Sequence, residues 1–139
     1  MNTYHIVDEP KARFYTRFIV NPLVILFASI FLPLLISLPF YGQFWGPIIW
    51  ILINGFLLGS PTFKHEVIIA AVGVIAFLSL PSLSLFLFTL FDATDTYSKA
   101  VPYLRTLSQA IFFMTLYLIV FKQSVSYSIL SYLKELNQS

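Results

Sequence analysis

VIIAAVGVIAFLSLPSLSLFLFTL, residues 67–90, contains no charged side chain and is long enough to cross the hydrocarbon of a bilayer as one helix. It is the centre of a wider pattern. From Phe18 to Phe121 the chain is almost continuously apolar, with only three short polar gaps. Hydrophobic residues make up 58% of the sequence and charged residues 10%, against roughly 25% charged in an ordinary soluble domain. Backbone groups inside lipid find no water to bond, so such runs must close their own hydrogen bonds as helices. The reading is an all-α polytopic membrane protein: a four-helix transmembrane bundle with a cytoplasmic extension of the last helix.

Working outward from residues 66–90, the pattern divides the chain into an interfacial segment at 1–17, a transmembrane domain at 18–121 and an amphipathic helical tail at 122–139. The first span, 18–40, gives about 35 Å of helix, enough to cross with some tilt. Pro33 sits in its middle and is expected to kink it. Asn21-Pro22 near its beginning, its length and the lack of a small-residue cleavage site favour a retained helix over a signal peptide. A second span at 41–59 is apolar only from Phe44 to Gly59, too short to cross on its own, and a re-entrant hairpin is its alternative. Trp45 and Trp50 near its start suit an interfacial belt. The turn at 60–65 leads into the third span. The polar stretch 91–105 reads as a loop before a fourth span at 104–121, with Lys122 at its exit.

In the N-terminal segment, Asp8-Glu9-Pro10 is a helix-start signal. Lys11, Arg13 and Arg17 then alternate with Phe14, Tyr15 and Phe18, as in a helix lying at a lipid surface or in an ordered juxtamembrane turn. In the tail, Val125, Ile129, Leu133 and Leu136 recur at helical spacing and form one apolar stripe. The fourth helix is expected to continue along it, with the stripe covered by a partner or by the lipid interface. Orientation follows from the basic residues. Four spans place Lys11, Arg13, Arg17, Lys64, Lys122 and Lys134 on one side and only Lys99 and Arg105 on the other. That bias favours both termini in the cytoplasm, in a bacterial inner membrane.

No motif names a reaction. The absence of cysteine excludes disulfides, thiolate catalysis and Cys-based metal sites. The dispersed net charge of +2 resembles no nucleic-acid footprint. His5 and His65 lack the further ligands that a metal site needs, and Asp92 and Asp95 lack a third ligand or a glycine turn. Serines are plentiful, without the elbow motif or base of a nucleophile. Phe112, Phe113, Tyr117 and Phe121 share helical spacing suited to packing on lipid and neighbouring helices, and no span holds an interior histidine for haem. Glu66 and Arg105 fall at span boundaries, where they are expected to reach water by snorkelling. Catalytic, cofactor and metal residues are therefore all expected to be none.

Deep within a span, Asn54 is the one strong hydrogen-bonding side chain, suited to an interhelical bond or to a pore lining. Gly55 and Gly59 beside it are spaced for close helix approach, within the chain or between chains. Pro33 and Pro81 complete the helix-packing or pore candidates. Val125, Ile129, Leu133 and Leu136 are the partner-facing candidates in the tail. The functional expectation is a small non-enzymatic membrane protein acting through helix contacts. It would serve as an accessory subunit of a membrane complex or as an inhibitory, immunity-type partner. The alternative is a homo-oligomeric channel or small transporter. Expected partners are the lipid bilayer and another integral membrane protein or a second copy, with no nucleic acid and no cofactor.

Overall fold

The computed structural model describes residues 18–35 and 40–136, and every regular element among them is an α-helix. The helices are α1 (Pro22–Leu35), α2 (Phe40–Leu58), α3 (Phe63–Leu90) and α4 (Thr94–Leu136). The interfacial segment expected at 1–17 lies outside the described residues. Two helices, α3 and α4, are long and apolar enough to cross a membrane, and α1 and α2 contribute shorter apolar stretches at Pro22–Phe31 and Trp45–Leu58.

The turns explain why the helices stop where they do. Gly59 has φ 63°, the left-handed conformation that glycine adopts without steric cost. Its N–H reaches the Phe56 carbonyl and the next N–H, of Ser60, reaches Gly55, both at 3.2 Å. That bond pair is the glycine-type helix stop that satisfies the last carbonyls of α2. Asp92 does the same for α3 with φ 49°. Its N–H bonds Thr89 at 3.2 Å and that of Ala93 bonds Phe88 at 2.9 Å.

α3 and α4 form a long antiparallel hairpin. Glu66 lies opposite Gln123, a Cβ on Gly73 would meet Thr115, and Phe88 packs edge-on against Tyr97 with ring centroids 5.6 Å apart. Gly73 is needed here because Thr115 occupies the space a side chain would take, so the helix backbones approach closely. α4 touches each of the other helices. Its 43 residues give about 64 Å of helix. Since Gln123 is already level with the first turn of α3, the last ten or so residues of α4 run on past it.

The stretch expected as a loop at 91–105 is thus mostly helix. Only Phe91–Ala93 connects α3 to α4, and Pro102 sits inside α4 without ending it. Polarity suggested a loop, but a helix needs an apolar face only where it meets lipid or a core. Trp50 falls in the middle of α2 rather than near its start, because α2 already begins at Phe40. Of the interfacial pair, only Trp45 lies in an early turn.

The core gathers Ile25, Ile48, Ile51, Ala70, Phe112, Leu116, Ile119 and Val120 from all four helices. Polar side chains are buried beside it: Ser29, Asn54, Ser60, Glu66, Ser84, Ser108, Thr115, Gln123 and Ser126. Meanwhile Phe27, Ile49, Ile68, Val72, Ile75, Phe86, Met114 and Phe121 are exposed. Several buried hydroxyls bond back to their own helix, Ser29 to the Ile25 carbonyl at 2.6 Å, Ser108 to Leu104 at 2.9 Å and Thr115 to Ile111 at 2.8 Å. Such back-bonding satisfies a hydroxyl without a second helix.

Candidate functional site

The strongest concentration of polar chemistry lies where all four helices converge, at the start of α1, the end of α2, the start of α3 and the level of Gln123 on α4. Glu66 is fully buried there, in the first turn of α3. Its Oε1 accepts the Ser60 hydroxyl at 2.6 Å and the Thr62 hydroxyl at 2.8 Å. Those two hydroxyl oxygens are themselves 3.0 Å apart. Its Oε2 accepts the Gln123 amide Nε2 at 2.8 Å.

Gln123 is the hub. The same Nε2 donates to the Ile51 carbonyl at 2.9 Å. Its Oε1 accepts Asn54 Nδ2 at 3.3 Å. Asn54 Oδ1 in turn accepts the backbone N–H of Val20, just before α1, at 2.9 Å. Ser126, one turn beyond Gln123, brings its hydroxyl within 3.5 Å of Ser60. One continuous chain of bonds therefore links the entry of α1, then α2, α4, α3 and the α2–α3 turn. Among the described residues no buried side-chain nitrogen or oxygen lacks a partner.

The local sequence builds this junction. Thr62 is the residue before α3 but makes no capping bond to the helix backbone; its hydroxyl turns to Glu66 one turn on. The stop at Gly59 aims Ser60 at the same carboxyl. Gly55 supplies the space, because a Cβ there would overlap the Gln123 amide and the Glu66 carboxyl. A completed network of this kind clamps helices together. Interhelical hydrogen bonds in lipid contribute about 0.6 kcal/mol each on average and up to about 1.7.

The residues singled out from sequence are distributed unevenly around the junction. Asn54 is within it. Gly55 serves contacts inside the chain, and Gly59 lies past the helix end as a turn residue. Pro33 lies within α1. Pro81 is exposed on α3 and borders a cavity of about 350 Å³ with Ser82, Tyr97, Val101, Arg105 and Ser108. In the tail, Val125, Ile129 and Leu136 are exposed and Leu133 is half-buried, while Gln123, Ser126 and Leu130 face inward. The apolar stripe is thus mainly the outer face of α4. Of the aromatic row, Phe112 is in the core and Phe113, Tyr117 and Phe121 are exposed, with Tyr117 stacked on Phe121 at 6.5 Å.

The largest correction concerns Glu66. Its place at a span boundary suggested snorkelling to water, whereas the structure turns it inward and covers it completely. Gln123, Ser60, Thr62 and Ser126 were not singled out at all. The one local signal was two hydroxyl residues at Ser60 and Thr62 ahead of an acid at the mouth of an apolar helix. Gln123 sits 57 residues away from Glu66, beyond the reach of any local pattern.

Asp92 and Asp95 are exposed, the first in the α3–α4 turn and the second in the first turn of α4. Among the described residues no three His, Asp or Glu side chains come together as metal ligands would. A second surface feature runs along the α3–α4 seam away from the core. It is a shallow apolar trough of about 670 Å³, with Gly73, Ala76, Ala110 and Thr115 among its lining and Ile68, Val72, Met114 and Leu118 beside them. No family model, curated protein or solved structure matches this chain.

Proposed function

We propose that this chain is a four-span integral protein of a bacterial inner membrane, with both termini cytoplasmic, that acts without catalysis by docking its helices on another integral membrane protein. The inverted distribution of side chains supports the membrane part. Exposing Phe27, Ile68, Ile75, Phe86 and Phe121 to water would forgo roughly 1.5–3 kcal/mol each, while Asn54, Ser60, Glu66 and Gln123 bond one another inside. The basic residues Lys64 and Lys122 flank the junction, consistent with that end facing the cytoplasm.

The observation that carries the docking part is the α3–α4 trough. Ala76 and Ala110 leave little above the helix backbones, the composition that admits a neighbouring transmembrane helix closely. An accessory subunit or an inhibitory, immunity-type partner would use such a seam. A photo-crosslinking amino acid at Ala76 or Ala110 in native membranes tests this reading. One discrete protein adduct supports it, and adducts to lipid alone refute it.

The second reading, a homo-oligomeric channel or small transporter, draws on the bond chain Asn54–Gln123–Glu66 within the bundle. Flux through liposomes holding only this protein would favour it. Unchanged flux in Asn54→Leu would remove that residue from the path.

A further inference from the structure

We infer that the cavity bordered by Pro81 and Arg105 is a binding site for one anionic phospholipid, whose phosphate meets the Arg105 guanidinium and whose acyl chain lies along the α3–α4 seam. The inference rests on the membrane reading above and not on docking at the apolar trough.

The register of the hairpin places Arg105 deeper than its sequence position suggested. Glu66 on α3 lies opposite Gln123 on α4, Gly73 opposite Thr115 and Phe88 opposite Tyr97. Arg105 therefore falls level with Pro81 and Ser82, about 12 Å along α4 from Tyr97 toward the Glu66 junction. With α3 across a bilayer, that level lies inside the hydrocarbon of the leaflet away from the junction. An arginine at such a depth marks a functional site by default, because the bilayer makes its charge costly to keep. Side chains lean toward the N-terminus of their helix, which for α4 is the Tyr97 end, so Arg105 reaches back toward the headgroups of that leaflet.

The cavity, of about 350 Å³, matches an amphiphile in chemistry. Its floor is the buried Ser108 with the half-buried Phe77 and Leu104, and its rim at Leu78, Ser82 and Arg105 is exposed, so it opens on the outside of the bundle. Among the described lining residues Arg105 alone is charged; Asp92, Asp95 and Lys99 lie nearer the α3–α4 turn and outside the lining. A guanidinium presents five N–H donors in a planar fork, so two can hold a phosphate while others keep bonds to the protein. Hydroxyls add to it. That of Ser82 reaches the Leu78 carbonyl only at 3.5 Å, the limit of a hydrogen bond, and Tyr97 contributes a phenol. Ser108 instead donates to the Leu104 carbonyl at 2.9 Å and serves as covered floor. A free anion would leave Phe77, Leu78 and Leu104 without an apolar partner. A zwitterionic headgroup would bring its own cation up to Arg105. One cation, two hydroxyls and an apolar wall together select an anionic head on an acyl chain.

Native mass spectrometry tests this on the full chain in detergent micelles, offered equal amounts of phosphatidylglycerol and phosphatidylcholine with the same acyl chains. The wild type should retain one phosphatidylglycerol in preference to phosphatidylcholine. Arg105→Gln should lower that preference by roughly tenfold or more, the loss expected of charge-assisted hydrogen bonds. Lys99→Gln removes an exposed cation outside the lining and should leave the preference unchanged. Val101→Trp, at an exposed lining position, should fill the cavity and reduce retention of both lipids. Equal retention of the two lipids by the wild type, or the same preference in Arg105→Gln as in the wild type, would overturn the inference. An equal fall in Lys99→Gln would do so too, as a general effect of charge. So would displacement of the lipid by inorganic phosphate, which would assign the site to a free anion. A photo-crosslinking amino acid at Val101 in native membranes should attach to phospholipid, and attachment to a protein would overturn the lipid assignment. Extraction of native membranes with alkaline carbonate separates this site from the reading it rests on. Release of the wild type would sink both, whereas a resistant protein without lipid preference would lose the site alone.

Discussion

Gln123→Leu removes the hub of the junction while nearly preserving side-chain volume, so its cost isolates the polar network. Three bonds disappear: to the Ile51 carbonyl at 2.9 Å, to Glu66 Oε2 at 2.8 Å and from Asn54 Nδ2 at 3.3 Å. At about 0.6 kcal/mol each, the lipid average, their direct loss is near 2 kcal/mol. Glu66 Oε2 and Asn54 Nδ2 are then left buried with no donor or acceptor opposite, and an orphaned polar group costs about 1–3 kcal/mol where it cannot find a new partner. The Ile51 carbonyl loses less, since it lies inside α2. The expected destabilisation is about 2–5 kcal/mol, a large part of the ~5–15 kcal/mol that holds a typical domain together. Reversible unfolding in mixed micelles, or steric trapping in bicelles, measures it. Val125→Leu, on the outer face of the same helix, serves as the control and should change stability by less than ~0.5 kcal/mol. Because Asn54 and Gln123 share a bond, Asn54→Leu combined with Gln123→Leu should cost less than the sum of the two. A Gln123→Leu protein within ~0.5 kcal/mol of the wild type would refute the reasoning, since the network would then contribute nothing to holding the helices.

Gly73→Ala should destabilise the α3–α4 hairpin by about 1–3 kcal/mol despite alanine's better helix propensity, because the new Cβ meets the Thr115 side chain including its own Cβ; the same unfolding assay reads it. Asp92→Gly should stabilise the chain by up to about 1 kcal/mol, since Asp92 occupies the left-handed region at φ 49° that glycine enters freely; a lowered midpoint would show that the Asp92 side chain contributes more than its backbone costs. Ile129→Asp with Leu133→Asp should leave the helices of the bundle inserted while abolishing whatever covers the outer face of the α4 extension, read as loss of a partner on native gels or as release of the tail from vesicles.

Much of the fold was legible because lipid-soluble helices announce themselves by length and apolarity. The run at 67–90 marks α3 closely, and the stripe at Val125, Ile129, Leu133 and Leu136 foretells the helix that α4 forms to Leu136. The start of α4 was missed, because residues 94–105 carry the polarity of a loop, and polarity reports the surroundings of a segment rather than its backbone conformation. The sense of the tail was also hidden. A stripe of apolar side chains implies an inward face when the outside is water, yet here the inward face carries Gln123, Ser126 and Leu130. Asn54 stood out as a lone amide in an apolar run. Glu66 did not, because the choice between snorkelling outward and turning inward depends on donors at Ser60, Thr62 and Gln123 that only the packed bundle assembles.

In the proposed arrangement α1 to α4 thread a bilayer with the Asn54–Gln123–Glu66 network enclosed and the junction toward the cytoplasm. Single cysteines at Pro61, Asp95 and Leu136, all exposed positions in a chain that has no native cysteine, allow a direct measurement with a membrane-impermeant thiol reagent. In inverted membrane vesicles the cytoplasmic ends face the reagent, so positions 61 and 136 should label and position 95 should react only after the vesicles are opened. Labelling of position 95 in sealed inverted vesicles, with position 61 or 136 protected, would contradict the account.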